Sequence, residues 1–211
     1  MSGSLFARRG LFVAAGAAVL LPGVARAAAD VGRPAPDFSG VDSNGTTHTL
    51  DGYRGRPVVL EWTNHQCPYV MKHYSSGNMQ AQQREARAKG VVWLSIVSSA
   101  PGEQGHVEGA RANELTASRK ADPSAVLLDP MGRIGRAYGA TVTPHMYLID
   151  ARGTLVYKGG IDSLRSADAA DIPRATQYVR QAIDHLLTNR PIPEPSTRAY
   201  GCTVKYSRTS T

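Results

Sequence analysis

The apolar run Val58-Val59-Leu60-Glu61-Trp62-Thr63 passes through Asn64-His65-Gln66 into Cys67-Pro68-Tyr69-Val70, and this junction restricts the fold more than any other stretch of the chain. A nearly continuous apolar run is the pattern of a strand buried on both faces, as in sheets covered by helices on either side. A proline directly after a cysteine suits the first turn of a helix, where a missing N–H costs nothing. Cys67 is therefore expected where a buried strand hands over to a helix N-terminus. The unpaired N–H groups and the dipole at such an end favour negative charge, and the thiolate is the reactive form of cysteine.

The pattern extends in both directions. A helix over residues 68–89, ended by Gly90, followed by a second buried run over 91–97, makes two parallel strands joined by a crossover helix. Upstream, Asp42-Ser43-Asn44-Gly45 is a turn signal between 38–41 and 46–50, a small N-terminal hairpin. Downstream, the pattern predicts a helix over 107–120, a strand over 125–128 and a short helix over 134–138. A pair of strands over 146–150 and 154–158 then turns at Ala151-Arg152-Gly153. A closing helix over 172–188 has Val179, Ile183, Leu186 and Leu187 at the spacing of one buried face. The sum is an open mixed sheet with helices on both faces. Residues 190–211 carry Pro191, Pro193 and Pro195 before Cys202 and read as an extended, irregular tail. A cysteine in that tail argues for docking.

Residues 1–27 are read as a leader outside the fold. Arg8 and Arg9 precede an apolar, small-residue stretch, and Ala25-Arg26-Ala27 has the form of a signal peptidase site. The stretch is short for a membrane span and is interrupted by Gly16, Pro22 and Gly23. Export, to a bacterial periplasm, is the expectation, with no stable membrane insertion after cleavage; the arginine pair also fits a twin-arginine leader loosely. Loss of the three leader arginines lowers the formal net charge from +7 to +4. The remaining cations are scattered, which argues against a nucleic-acid partner. Residues 28–189 fit one domain, and two cysteines in an exported chain are too few for a disulfide scaffold and enough for one redox pair.

The second informative element is Thr143-Pro144-His145-Met146-Tyr147-Leu148-Ile149. Proline is expelled from sheet interiors, so Pro144 is expected to open a strand, with either a cis bond to Thr143 or an ordinary trans one. The combination of strand, Cys-Pro, helix and Thr-Pro before a strand and hairpin resembles the thioredoxin-like superfamily. Gly32-Arg33-Pro34-Ala35-Pro36-Asp37-Phe38 resembles the entry of its alkyl hydroperoxide reductase and thiol-specific antioxidant, or redoxin, branch, as does the insertion over 98–128. The Cys67 segment and Gly201-Cys202-Thr203-Val204-Lys205-Tyr206 look most like a peroxiredoxin-like subgroup of exported proteins. The resemblance implies a three-layer α/β/α sandwich with an N-terminal hairpin, an inserted αβ segment and a docked C-terminal tail. It also implies a cis Pro144 lying against Cys67.

Two departures qualify the chemistry. Val70 stands where Cys-x-x-Cys proteins have their second thiol, so no local resolving cysteine exists. Asn64 stands three residues before Cys67, where peroxiredoxins carry the hydroxyl that holds the peroxide, and Leu60 replaces their proline. Thr63 is one position off and faces the other way on a strand. The implied reaction is attack by the Cys67 thiolate on a substrate disulfide or oxidised sulfur, resolved by Cys202. Thr143 would offer backbone hydrogen bonds to an extended substrate, Pro144 would hold that backbone towards the sulfur, and Asn64 and His65 are further candidates beside the thiol. The expected partners are a thiol or disulfide protein, or a small peroxide, with an external thiol as reductant and no cofactor.

Other readings stand beside this one. Cys67 fits an inert buried cysteine and Cys202 a structural staple or a free thiol. Cys67, His65, Met71, His73, His145 and Met146 offer soft ligands for Cu(I), as in a copper-binding accessory protein. A non-catalytic binding module of redoxin fold is the third.

Overall fold

The apolar run forms strand β3 (Val58–Trp62), buried at every residue. In the computed structural model, which describes residues 29–207, β3 lies parallel to β4 (Val92–Val97) and antiparallel to β7 (His145–Ile149). The expected leader lies outside the described residues. The sheet continues from β4 to β5 (Ala125–Leu128), then to the hairpin of β1 (Ser39–Asp42) and β2 (Thr47–Thr49), and from β7 to β8 (Leu155–Gly159). It has seven strands in the order β2-β1-β5-β4-β3-β7-β8.

Alternation along the strands divides the core into two layers. Val58, Leu60 and Trp62 face one side, with Leu94, Ile96, Leu127 and Tyr147, under helix α4 (Arg133–Tyr138). Val59 faces the other, with Trp93, Met146 and Leu148, under α1 (Pro68–Ser75), α2 (Asn78–Ala88) and α5 (Tyr178–Leu187). Helix α3 (Gly109–Ser118) covers the β4–β5 end through Val97, Ala112 and Leu115. Each large apolar side chain so buried contributes about 1.5–3 kcal/mol, and Leu60, Trp62, Trp93 and Leu148 are all 0% exposed. The three-layer α/β/α sandwich is thus the fold of the chain.

Two helices differ from expectation. The helix expected over 68–89 is two, α1 and α2, separated at Ser76-Gly77. Gly77 has φ +75°, a left-handed conformation that stops the first helix and lets the second start in a new direction. The closing helix begins later than expected, at Tyr178, because Pro173 confines the preceding segment to a 3-10 turn, Ala169–Arg174, capped by the Asp168 carboxylate on Ala170 N–H.

The C-terminal tail docks along the domain. Thr197 N–H donates to Lys158 O at 3.0 Å, and Thr197 Oγ1 meets Tyr157 Oη at 2.7 Å. A short strand β9 (Cys202–Thr203) pairs antiparallel with β6 (Val142–Thr143), and Val204 N–H donates to Thr141 O at 3.0 Å. Beyond it, Ala100 N–H donates to Lys205 O at 2.8 Å and Tyr206 Oη to Ala140 O at 2.7 Å.

Candidate active site

Cys67 is the residue before α1, with extended dihedrals (φ −82°, ψ 122°), and Pro68 occupies the first helical turn. The turn that delivers it is built by its own polar residues. Cys67 N–H donates to Asn64 O at 3.1 Å, Gln66 N–H donates to Asn64 Oδ1 at 2.9 Å, and Asn64 Nδ2 reaches Gln104 O at 3.3 Å. Gly105 N–H donates to Gln66 Oε1 at 3.0 Å. The Gln104-Gly105 loop therefore braces the cysteine turn from outside, and the sulfur needs no help from neighbouring side chains to hold its position.

The sulfur faces the start of β7. The Thr143-Pro144 bond is cis, and Cys67 Sγ lies 3.1 Å from Thr143 O. Thr143 is the register partner of Cys202 in the β6–β9 pair, which brings the two thiols into hydrogen-bonding reach of each other. Gly201 makes the approach feasible. It has φ +143°, and a Cβ there would lie 1.9 Å from Thr143 O. The environments of the two thiols differ. Burial pushes Cys67 up, but hydrogen bonds from the Cys202 and Thr143 side chains, and from the Val70 and Cys202 backbone, together hold it below the ordinary thiol value. Cys202 is pushed up to about 11 by burial, by its hydrogen bond to Cys67 and by the charge Cys67 would carry. The pair is thus arranged as one ready thiolate and one retained proton.

Beneath the tail lies a buried polar cluster that sequence reasoning did not single out. Lys72 and Asp162 are both 0% exposed in their side chains and pair at 3.2 Å, with Lys72 Nζ also donating to Leu164 O at 2.8 Å. Tyr200, two residues before Cys202, donates its hydroxyl to Asp162 Oδ1 and meets His73 Nε2 at 3.2 Å. His73 Nδ1 meets Asn78 Nδ2 at 2.8 Å. Helix α1, which carries Cys67 at its start, is thereby tied to the tail that carries Cys202. The signal in the sequence was a Lys-His pair on a helix otherwise reading as core-facing.

Glu61 is the other buried group without a counterpart in the sequence reading. Its Oε1 accepts from Tyr74 Oη at 2.8 Å, and its Oε2 from Trp93 Nε1 at 2.8 Å, Ser95 Oγ at 2.9 Å and Gln83 Nε2 at 3.2 Å. Neutral donors satisfy it without a cation, which is what a carboxylate in the middle of a buried strand requires. An acid interrupting an apolar strand was its visible sign.

The remaining candidates are dispersed. Asn64 is buried and its amide serves the turn. His65 lines a cleft towards α3 with Thr63, Ser95 and Arg119, and burial, then Arg119 and Arg111, hold it below the usual histidine value. Among the candidate copper ligands, Met71 is 53% exposed while both ring nitrogens of His73 are engaged. His145 stacks on Tyr147 in one core layer and Met146 points into the other. Among the described residues, no group of three His, Cys, Asp or Glu is placed to hold a metal ion.

Residues 31–158 match the AhpC/TSA family over more than half of the chain. The chain belongs to that family. It is a thioredoxin-like redoxin of the thiol-disulfide oxidoreductase type, and its solved structural relatives agree on the fold. An uncharacterised conserved protein from Geobacillus kaustophilus is similar with a TM-score of 0.77 at 24% identity, over 86% of this chain and 95% of that one. A hypothetical protein from Sinorhizobium meliloti 1021 is similar with a TM-score of 0.71 at 22% identity, over 84% and 95%. A thiol:disulfide interchange protein from Bacteroides sp. is similar with a TM-score of 0.50 at 18% identity, over 69% and 88%. No curated protein matches the redoxin.

Proposed function

We propose that this redoxin is an exported thiol-dependent oxidoreductase in which Cys67 is the nucleophile and Cys202 resolves the product. The observation that carries the reading is the pairing of a thiol held below its ordinary pKa at a helix start with a second, proton-retaining thiol on the docked tail. The Cys67 thiolate attacks an oxidised sulfur or a small peroxide. With a disulfide substrate, one sulfur bonds to Cys67 and the other leaves as a thiolate. With a peroxide, the O–O bond breaks, Cys67 becomes a sulfenic acid and the alkoxide or hydroxide leaves. In both cases Cys202 then attacks Cys67, and the second thiolate or a water is released as the Cys67–Cys202 disulfide forms. Two electrons pass from the pair to the substrate, and an external thiol restores them.

Cys67 is 0% exposed, and that one observation favours a non-catalytic binding module instead. One experiment separates the readings. The mature, exported chain is treated with peroxide or diamide and mapped under non-reducing conditions. A Cys67–Cys202 disulfide is expected, and in Cys202→Ser a dimedone-trapped sulfenic acid at Cys67. Both thiols recovered free would overturn the redox reading. The leader read from residues 1–27 supports export, and N-terminal sequencing of fractionated protein, with Ala28 first, is the corresponding test.

A further inference from the structure

The active-site edge is occupied by the protein itself. An extended polypeptide binds beside a sheet by pairing its backbone with an unpaired strand, and the short strand next to Cys67, β6, already pairs with β9 through Thr143 and Cys202. The approach at Gly201 leaves no room for a second chain there. The tail is held on both sides of Cys202, by Thr197 and Tyr200 before it and by Val204, Lys205 and Tyr206 after it. Cys202 is thus in the position of a substrate strand, with Cys67 fully buried beneath it and Cys202 itself partly exposed.

We propose that the oxidised protein is reduced from the tail side, by a low-molecular-weight thiol whose thiolate attacks Cys202 rather than Cys67. This rests on the Cys67–Cys202 disulfide of the proposed function. Disulfide exchange proceeds with the attacking sulfur, the attacked sulfur and the leaving sulfur in line, so access decides which sulfur is attacked. From solvent that line runs through Cys202 to Cys67 beneath it. In the first step the external sulfur bonds to Cys202, the Cys67–Cys202 bond breaks, and the electron pair leaves on Cys67. In the second, another thiolate attacks the external sulfur, releasing a small disulfide and the Cys202 thiol. Two small thiols are oxidised and the pair is reduced. The leaving sulfur is the one held below its ordinary pKa, and the better leaving group departs faster. Lys205 lies close enough to act on Cys202 by its charge, so it favours an anionic attacker.

The test uses oxidised full-length mature protein and glutathione. A stoichiometric amount is added, the reaction is quenched early with acid, free thiols are alkylated with N-ethylmaleimide, and the peptides are mapped. Glutathione on Cys202 with the maleimide on Cys67 is expected, exceeding the reverse pattern by at least about tenfold. Glutathione predominantly on Cys67 would overturn this inference and leave the redox pair standing. An oxidised sample without a Cys67–Cys202 disulfide would overturn both.

Discussion

Replacing Tyr200 with phenylalanine keeps the ring against Tyr69 and the core layer under α1 but removes the hydroxyl that Asp162 accepts and that His73 meets. Asp162 keeps Lys72 as its partner at 3.2 Å, so no buried charge is left alone. The loss is that of one hydrogen bond to a charged group, about 1.5–3 kcal/mol. It falls on the attachment of the tail, two residues from Cys202, rather than on the sheet. If all of it weakens docking, the undocked population rises by about 10- to 100-fold, since each tenfold is about 1.4 kcal/mol. Cys67, buried under the docked tail, should then be alkylated faster by that factor in the reduced native protein, with little change in melting temperature. Peptide-resolved maleimide labelling over time measures it. An unchanged Cys67 rate would refute the argument that the tail is what covers the sulfur. Lys72→Met is the contrast. It strands Asp162 without a cation, costs about 3–5 kcal/mol and should lower the melting temperature by roughly 10 °C.

The thiols should titrate separately by ultraviolet thiolate absorbance, Cys67 below the ordinary thiol range and Cys202 near 11. In Cys67→Ser the Cys202 transition should move down, because one cause of its elevation has gone; an unmoved transition would mean the two are not coupled. Burial holds His73 near 4, against a raising effect from Asp162 and a lowering one from Lys72, and holds His145 near 4 as well, with Lys158 adding to it. The unfolded chain takes up these protons at the ordinary histidine value of 6.5 and the folded one only near 4, so stability is full above 6.5 and falls as pH drops through that window. The slope is up to about 1.4 kcal/mol per pH unit for each histidine, and urea unfolding from pH 7 to 4 checks it; a flat profile would contradict their burial as neutral rings. Gly201→Ala places a Cβ against Thr143 O and should displace β9, costing more than about 1 kcal/mol and slowing Cys67–Cys202 disulfide formation under diamide; an unaltered rate would show that the close approach is dispensable.

Local pattern was enough for much of the frame. Continuous apolar runs over Val58–Trp62 and Val92–Val97 announce buried strands, because no one-sided element could leave both faces dry. Pro68 after Cys67 marks the helix start, and a proline before an apolar strand marks the edge facing it, since each residue's chemistry permits few backbone positions. The break at Gly77 and the late start of α5 were less legible, as both depend on how successive segments turn to cover one sheet. What only the tertiary structure decided is the pairing of sites distant in the chain. Nothing local to Cys202 says that it lies against Thr143, or that Tyr200 meets Asp162 and His73 beneath it. Nor does an isolated Lys72 announce a buried partner ninety residues away. A polar residue's pattern records only that it is polar; whether it faces water or a buried counter-charge is set by which surfaces the fold brings together.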